Sequence, residues 1–183
     1  PSLLIFQAGI FDPLRQMLDG RAIGEAPAQT GEPLYAIVQF QSAQLKQDRE
    51  ALRADGIEFL GYVPNTAYYV RLNGQSLASV RGSAGVRWAG TVDPALKLDA
   101  NLWQAARANS VARQADGQYE IILRAFDGVS SAAIAQRVRA QVPGAEITMR
   151  SERVEAAPYV RVKVDAASLD ALIQAATAID GDR

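Results

Sequence analysis

Apolar residues recur along this chain with periods of two and of three to four, and the two spacings alternate. Positions 34–40 (LYAIVQF) are apolar, aromatic or β-branched and predict a strand. Positions 43–55 are charged, with Leu45, Ala51 and Leu52 as the inward residues of a predicted helix that Gly56 stops. In 57–63, Ile57, Phe59, Gly61 and Val63 alternate against Glu58, Leu60 and Tyr62, the pattern of a strand with two different faces. Pro64-Asn65 is a tight connection into a strand over 66–72, so the two form a hairpin. Leu77, Val80 and Ala84 have helical spacing within 75–83, and 86–92, which carries Trp88, supplies a fourth strand. The predicted order is βαββαβ.

The same succession then begins again. Strands are predicted over 118–126, 145–153 and 159–165, and helices over 130–142 and 166–178. Ile134, Val138 and Val142 step by four, and Leu169, Leu172, Ile173 and Ala176 follow the spacing of one buried helical face. Ser130-Ser131 reads as a helix start, Pro143-Gly144 as a helix stop, and Asp165 or Ser168 as a cap for the last helix. Residue identities support a repeat. Tyr35-Ala-Ile-Val-Gln-Phe40 aligns with Tyr119-Glu-Ile-Ile-Leu-Arg124, and Val70-Arg-Leu-Asn73, Ser76-Leu77 and Val80 align with Val162-Lys-Val-Asp165, Ser168-Leu169 and Leu172. A period of roughly ninety residues suits one small domain copied once, not a solenoid unit.

The expected fold class is therefore α+β: two tandem βαββαβ domains with antiparallel sheets. Residues 1–33 form an arm, 34–98 the first domain, 99–116 a linker and 117–183 the second domain, whose last strand is missing or barely begun. Arg183 is read as a boundary within a longer protein or as a cleaved end. Right-handed crossovers place both helices of such a unit on one face of the sheet and leave the other open. In the second copy Ile147, Met149, Val160, Val162 and Val164 are expected to face the helices. Glu146, Thr148, Arg150, Tyr159, Arg161 and Lys163 are expected to face outward. In the first copy the open face carries Leu60, Tyr62 and Tyr69 beside Glu58 and Arg71, which is more apolar than a solvated face requires. Either a partner protein covers it, or the arm or the other copy does.

Composition narrows the chemistry. The 183 residues are 49% hydrophobic and 21% charged with net charge -1, the balance of a globular protein with no long-range attraction for nucleic acid or anionic lipid. Cysteine and histidine are both absent, which excludes disulfides, thiolate sites, cysteine nucleophiles and a Ser-His-Asp triad within this chain. The first apolar run, Leu3 to Phe6, is too short for a signal-peptide core or a membrane span. No cofactor or metal site is expected: Glu152 and Glu155 read as a solvated hairpin edge, and Asp180-Gly-Asp182 lacks the remaining ligands of a calcium loop.

With these residues in place, the first copy resembles the propeptide domain of bacterial subtilisin-like serine proteases, the peptidase-inhibitor type with a ferredoxin-like fold. The resemblance covers about Tyr35 to Leu102. It rests on Tyr35-Ala-Ile-Val-Gln-Phe40, Gly56-Ile-Glu-Phe-Leu-Gly-Tyr-Val-Pro-Asn-Thr-Ala-Tyr68, Tyr69-Val-Arg-Leu72, Val86-Arg-Trp-Ala-Gly90 and the tail Asp93-Pro-Ala-Leu-Lys-Leu98. It implies a secreted, non-catalytic pro-region that helps a protease domain fold and holds it inactive. In that family the open sheet face packs on the protease, an acidic residue near the hairpin caps two protease helices, and the following segment lies in the substrate cleft. Carried over, the interface residues are Leu60, Tyr62 and Tyr69 in the first copy and Tyr159, Arg161 and Lys163 in the second. Glu152 and Glu155 flank the second hairpin, whereas the first hairpin has no carboxylate. Asp182 and Arg183 are the substrate-like residues if Arg183 is a cleaved end.

Three other readings compete. A ferredoxin-like regulatory or dimerisation module needs no protease partner. Single-stranded nucleic-acid binding shares the βαββαβ order and would use Tyr62 and Tyr69 as stacking platforms, but the basic surround is missing. Autonomous catalysis lacks a reactive centre, and Trp88 and Trp103 read as core and linker anchors.

Overall fold

Four short strands, β1 (Leu4–Phe6), β2 (Gly9–Asp12), β3 (Met17–Leu18) and β4 (Arg21–Ala22), form an antiparallel meander where the sequence predicts an arm. The pairing of Leu4 with Phe11 and Ile5 with Ile10 sorts the hairpin into two faces. Leu4, Phe11 and Leu18 are buried, while Ile5 and Ile10 are exposed. The computed structural model describes residues 3–22, 34–102, 107–126, 129–151 and 158–177. It is a mixed α+β fold with antiparallel sheets, and it divides into two compact units, residues 1–97 and 98–183.

After the meander, the first unit continues through β5 (Leu34–Phe40), α1 (Lys46–Ala54), β6 (Ile57–Val63), β7 (Ala67–Leu72), α2 (Leu77–Arg81), β8 (Val86–Thr91) and the short α3 (Pro94–Lys97). The sheet order is β6-β7-β5-β8. Ala36, Val38, Phe40, Tyr68, Val70 and Leu72 point to the helices, where Val80 of α2 and Leu52 of α1 pack on them. Leu45 and Ala51, expected inward, are exposed instead. Leu45 precedes α1 and donates its N–H to the Asp48 carboxylate at 3.1 Å, so it serves the helix start and not the core. Gly56 ends α1 as expected, with φ of +87°.

The second unit contains two short 3₁₀ turns, Ala100–Leu102 and Arg107–Asn109, then β9 (Tyr119–Arg124), α4 (Ser131–Gln141), β10 (Glu146–Ser151), β11 (Tyr159–Val164) and α5 (Leu169–Thr177). Its sheet order is β10-β11-β9. Tyr119, Ile121, Val160, Val162 and Val164 form its core with Ile134, Ala135 and Val138 of α4 and Leu169, Leu172 and Ala175 of α5. Ser130 caps α4 by accepting the Ala133 N–H at 3.1 Å. Ser168 lies at the start of α5, with its carbonyl accepting from Leu172 and its N–H bound by Asp165 at 2.7 Å. Ser130→Ala is expected to cost about 0.5–2 kcal/mol of second-unit stability, measured as a shift of the denaturant midpoint; Ser130→Asp should retain most of it.

Register corrects the repeat alignment at its first strand. Tyr119 and Ile121 point to their helices, whereas Tyr35 and Ile37 lie on the face away from theirs. Leu34 pairs with Leu72 and Tyr119 with Val164, so by strand pairing Tyr119 corresponds to Leu34, one residue away from the sequence match. Because side chains alternate along a strand, a slip of one residue exchanges the two faces.

Candidate interaction surface

Two β-bulges decide which side chains each sheet shows. In β6 the register shifts between Phe59 and Gly61, leaving Leu60 as the extra residue; Gly61 then pairs with Tyr69 and Tyr62 with Tyr68. Tyr62 is thereby turned to the helix side, correcting its expected place on the open face beside Leu60. It is 63% exposed and sits edge-on to Tyr68, with ring centroids 5.3 Å apart. Phe59 stacks with Phe40 and meets Tyr68 edge-on, so an aromatic group with Tyr62 at its rim occupies the hairpin end of this face. In β10 the register shifts between Ile147 and Met149. Met149, expected inward, pairs with Arg161 on the outer face, and Arg150, expected outward, pairs with Val160.

The face of the first sheet away from its helices is not open. Leu60, Val63, Ala67, Tyr35 and Ile37 are all buried there, and the rings of Phe6 and Phe11 from the meander meet Tyr69 at 6.1 Å and Trp88 at 5.6 Å. The expected interface residues Leu60 and Tyr69 are therefore covered from within the same unit. Gly90 makes this packing possible, since a Cβ there would lie 2.4 Å from the Trp88 ring. The hairpin tip holds the meander at one end, with Asn65 Nδ2 donating to the Leu3 carbonyl at 2.6 Å. Asn65 and Thr66 both have positive φ, and Thr66 bears that conformation while donating its hydroxyl to the Phe40 carbonyl at 2.6 Å. Gln39, fully buried in the same layer, donates to the Asn65 carbonyl at 3.0 Å, and its Oε1 has no partner among the described residues.

Charge and burial follow this layering. Arg71 and Glu58 form an ion pair on the same face, and the hydrogen bonds to Glu58 and then to Tyr35 raise the guanidinium pKa further. Desolvation pushes the Tyr69 phenol up to about 12. The unfolded chain, with its phenol near 10, ionises first, so the contribution of Tyr69 is complete below that pH. It is lost as pH rises from about 10 to about 12. Base titration followed by phenolate absorbance and unfolding should show first-unit stability falling over that window, and Tyr69→Phe should flatten the fall.

The second sheet differs: among the described residues of the second unit, none is packed over its outer face. Ile122 is 46% and Met149 43% exposed. Arg161 pairs across the sheet with Ile122 on one side and Met149 on the other. Tyr159 donates to Met149 Sδ at 3.4 Å. Arg161 lies 3.9 Å from Glu120, and Lys163 Nζ is 2.8 Å from Asp116. The hydrogen bond between these last two lowers the Asp116 pKa and raises that of Lys163. Tyr159, Arg161 and Lys163 thus share one face, as their spacing predicts, and Ile122 and Met149 join them. Ile122 escaped the sequence reading because the alignment of β9 was one residue out of step. Met149 escaped it because of the bulge. Glu152, Glu155, Asp182 and Arg183 lie outside the described residues.

The described residues contain no group of three or more acidic side chains placed to hold a metal ion. None of their helices is long and apolar enough to cross a membrane. Residues 5–93 match a family described as a domain of unknown function, DUF8729. This match covers just under half of the chain. It runs from β1 past the end of β8, so it spans the meander and the sheet beneath it together. No curated protein and no solved structure matches the chain.

Proposed function

We propose that this chain is the pro-region of a secreted subtilisin-like serine protease, built of two tandem ferredoxin-like domains, and that it inhibits the protease and assists its folding by binding it. The ferredoxin-like reading is supported by the strand order β6-β7-β5-β8 with helices on one face, and by β10-β11-β9 with the same order of its first three strands. One observation carries the functional reading: the second sheet presents an uncovered face on which Ile122, Met149 and Tyr159 surround Arg161. Apolar and aromatic groups around an arginine are the composition of a protein-binding patch. Since the meander occupies the corresponding face of the first unit, the contact is assigned to the second.

A body that binds the folded protease and not its unfolded chain inhibits and stabilises through the same contacts. Added to the protease encoded with it, the chain should slow peptide hydrolysis and raise the yield of active enzyme on refolding. Arg161→Glu should weaken both effects by tenfold or more, with an unchanged circular dichroism spectrum. Absence of both effects with the parent chain would reject the proposal, and an unaltered Arg161→Glu variant would reject the assignment of the face.

A further inference from the structure

We propose that Asn73-Gly74 is a self-modifying site: in the folded chain the Gly74 nitrogen displaces the side-chain amide of Asn73, and the isoaspartate that follows lengthens the main chain where β7 turns into α2. The inference is independent of what the chain binds.

This cyclisation needs an asparagine amide free to turn, a following backbone nitrogen not held in a hydrogen bond, and no side chain crowding that nitrogen. The chain has four asparagines, and one meets all three conditions. Asn65 is held by its Nδ2, which donates to the Leu3 carbonyl at 2.6 Å, and the β-branched Thr66 follows it. Asn101 donates its Nδ2 to Asp99 Oδ1 at 2.9 Å, and the next N–H, that of Leu102, donates to the Asp99 carbonyl at 2.9 Å. After Asn109, the Ser110 N–H donates to the Arg107 carbonyl at 3.1 Å. Asn73 differs on each count. It is exposed, its side chain makes no hydrogen bond among the described residues, and neither does the Gly74 N–H. Gly74 has φ of +75° and nothing within 4 Å of its Cβ position, which leaves room for the five-membered ring.

The steps balance with water as the only co-reactant. Base takes the Gly74 N–H proton, the nitrogen bonds to Asn73 Cγ, and the Cγ–Nδ2 bond breaks as ammonia leaves carrying the proton back. Water then opens the succinimide. Addition at Cγ gives aspartate. Addition at the former main-chain carbonyl carbon gives isoaspartate, whose backbone runs through Cβ and Cγ and whose carboxylate is the former carbonyl.

The position makes the change costly to the first unit. Asn73 N–H donates to the Gly56 carbonyl at 2.9 Å, and Gln75 Nε2 donates to the Asp55 carbonyl at 2.8 Å. The turn is thus tied to the end of α1 on both sides of the bond that lengthens. One more backbone atom between the two ties cannot be taken up without releasing one of them. The Asn73 carbonyl oxygen lies so close to Gly56 that a Cβ there would be 2.5 Å away, so the new carboxylate forms against the Gly56 backbone.

The test incubates the full chain in mildly alkaline buffer, folded and in urea, and follows each asparagine by tryptic peptide mass. The peptide 72–81 contains Asn73 and no other asparagine. It should gain the mass of deamidation in the folded chain about as fast as in urea, and its product should accept methyl groups from a protein-isoaspartate methyltransferase. Peptides carrying Asn65, Asn101 and Asn109 should stay unmodified while the chain is folded. Asn73→Gln should abolish the conversion, because its longer side chain closes a six-membered ring far more slowly. Asn73→Asp carries the new charge on an unlengthened backbone. The isoaspartate form, separated by ion exchange, should therefore unfold at a lower denaturant concentration than that variant. The proposal fails if folding slows conversion at Asn73 severalfold, or if another asparagine converts first in the folded chain. It also fails if the isoaspartate form unfolds no earlier than Asn73→Asp.

Discussion

Phe11→Ala is expected to destabilise the first unit by about 3–5 kcal/mol, the range for emptying a buried phenylalanine site. Phe11 is 1% exposed, and its ring is the only one among the described residues to meet both Phe6, at 6.3 Å, and Trp88, at 5.6 Å. Removing it leaves a void between two sheets. The indole can relax into that void only by leaving its place above Gly90, which pairs with the buried Ile37 of β5. Denaturant unfolding followed by near-ultraviolet circular dichroism reads the effect. Ile10→Ala provides the comparison, because Ile10 is on the same strand but 51% exposed and should cost under about 1 kcal/mol. Equal costs for the two variants would show that the meander does not hold the sheet.

A second large effect is expected at Gly56, where alanine should cost roughly 2–4 kcal/mol: about 1–2 for the left-handed conformation and the remainder from overlap. The φ there is +87°, and a Cβ would stand 2.5 Å from the Asn73 carbonyl oxygen. That carbonyl cannot withdraw freely, since the Asn73 N–H donates to the Gly56 carbonyl at 2.9 Å and closes β7 onto the start of β6. Gly74→Ala isolates the conformational part, because Gly74 has φ of +75° with nothing within 4 Å of its Cβ position. Comparing the denaturation midpoints of the two variants gives the clash alone. A difference near zero would mean that the α1 stop and the Asn73 turn are not rigidly joined.

Much of the fold is legible because its signals are local. The stop at Gly56, the start at Ser130, and the inward set Ile134, Val138 and Val142 each depend on residues within one or two turns. Of the residues expected at an interface, Tyr159, Arg161 and Lys163 lie together on an uncovered face because β11 pairs regularly along its length with β9. Leu60, Tyr62 and Tyr69 could not be placed this way. The extra residue at Leu60 reverses the alternation after it, and nothing in the composition of 57–63 announces where that residue falls.

From residue 34 onward, the order of strands and helices, the buried face of α4 and the stop at Gly56 were determined by the sequence, since each follows from contacts among near neighbours in the chain. Which side of each strand looks outward, and what lies over it, was decided by tertiary structure. A bulge of one residue exchanges the two faces of a strand, and the cover over the first sheet arrives from Phe6 and Phe11, far before its first strand at Leu34. Burial is a pairwise property of distant segments. A pattern of alternating residues states only that one face should be covered, not by which part of the chain.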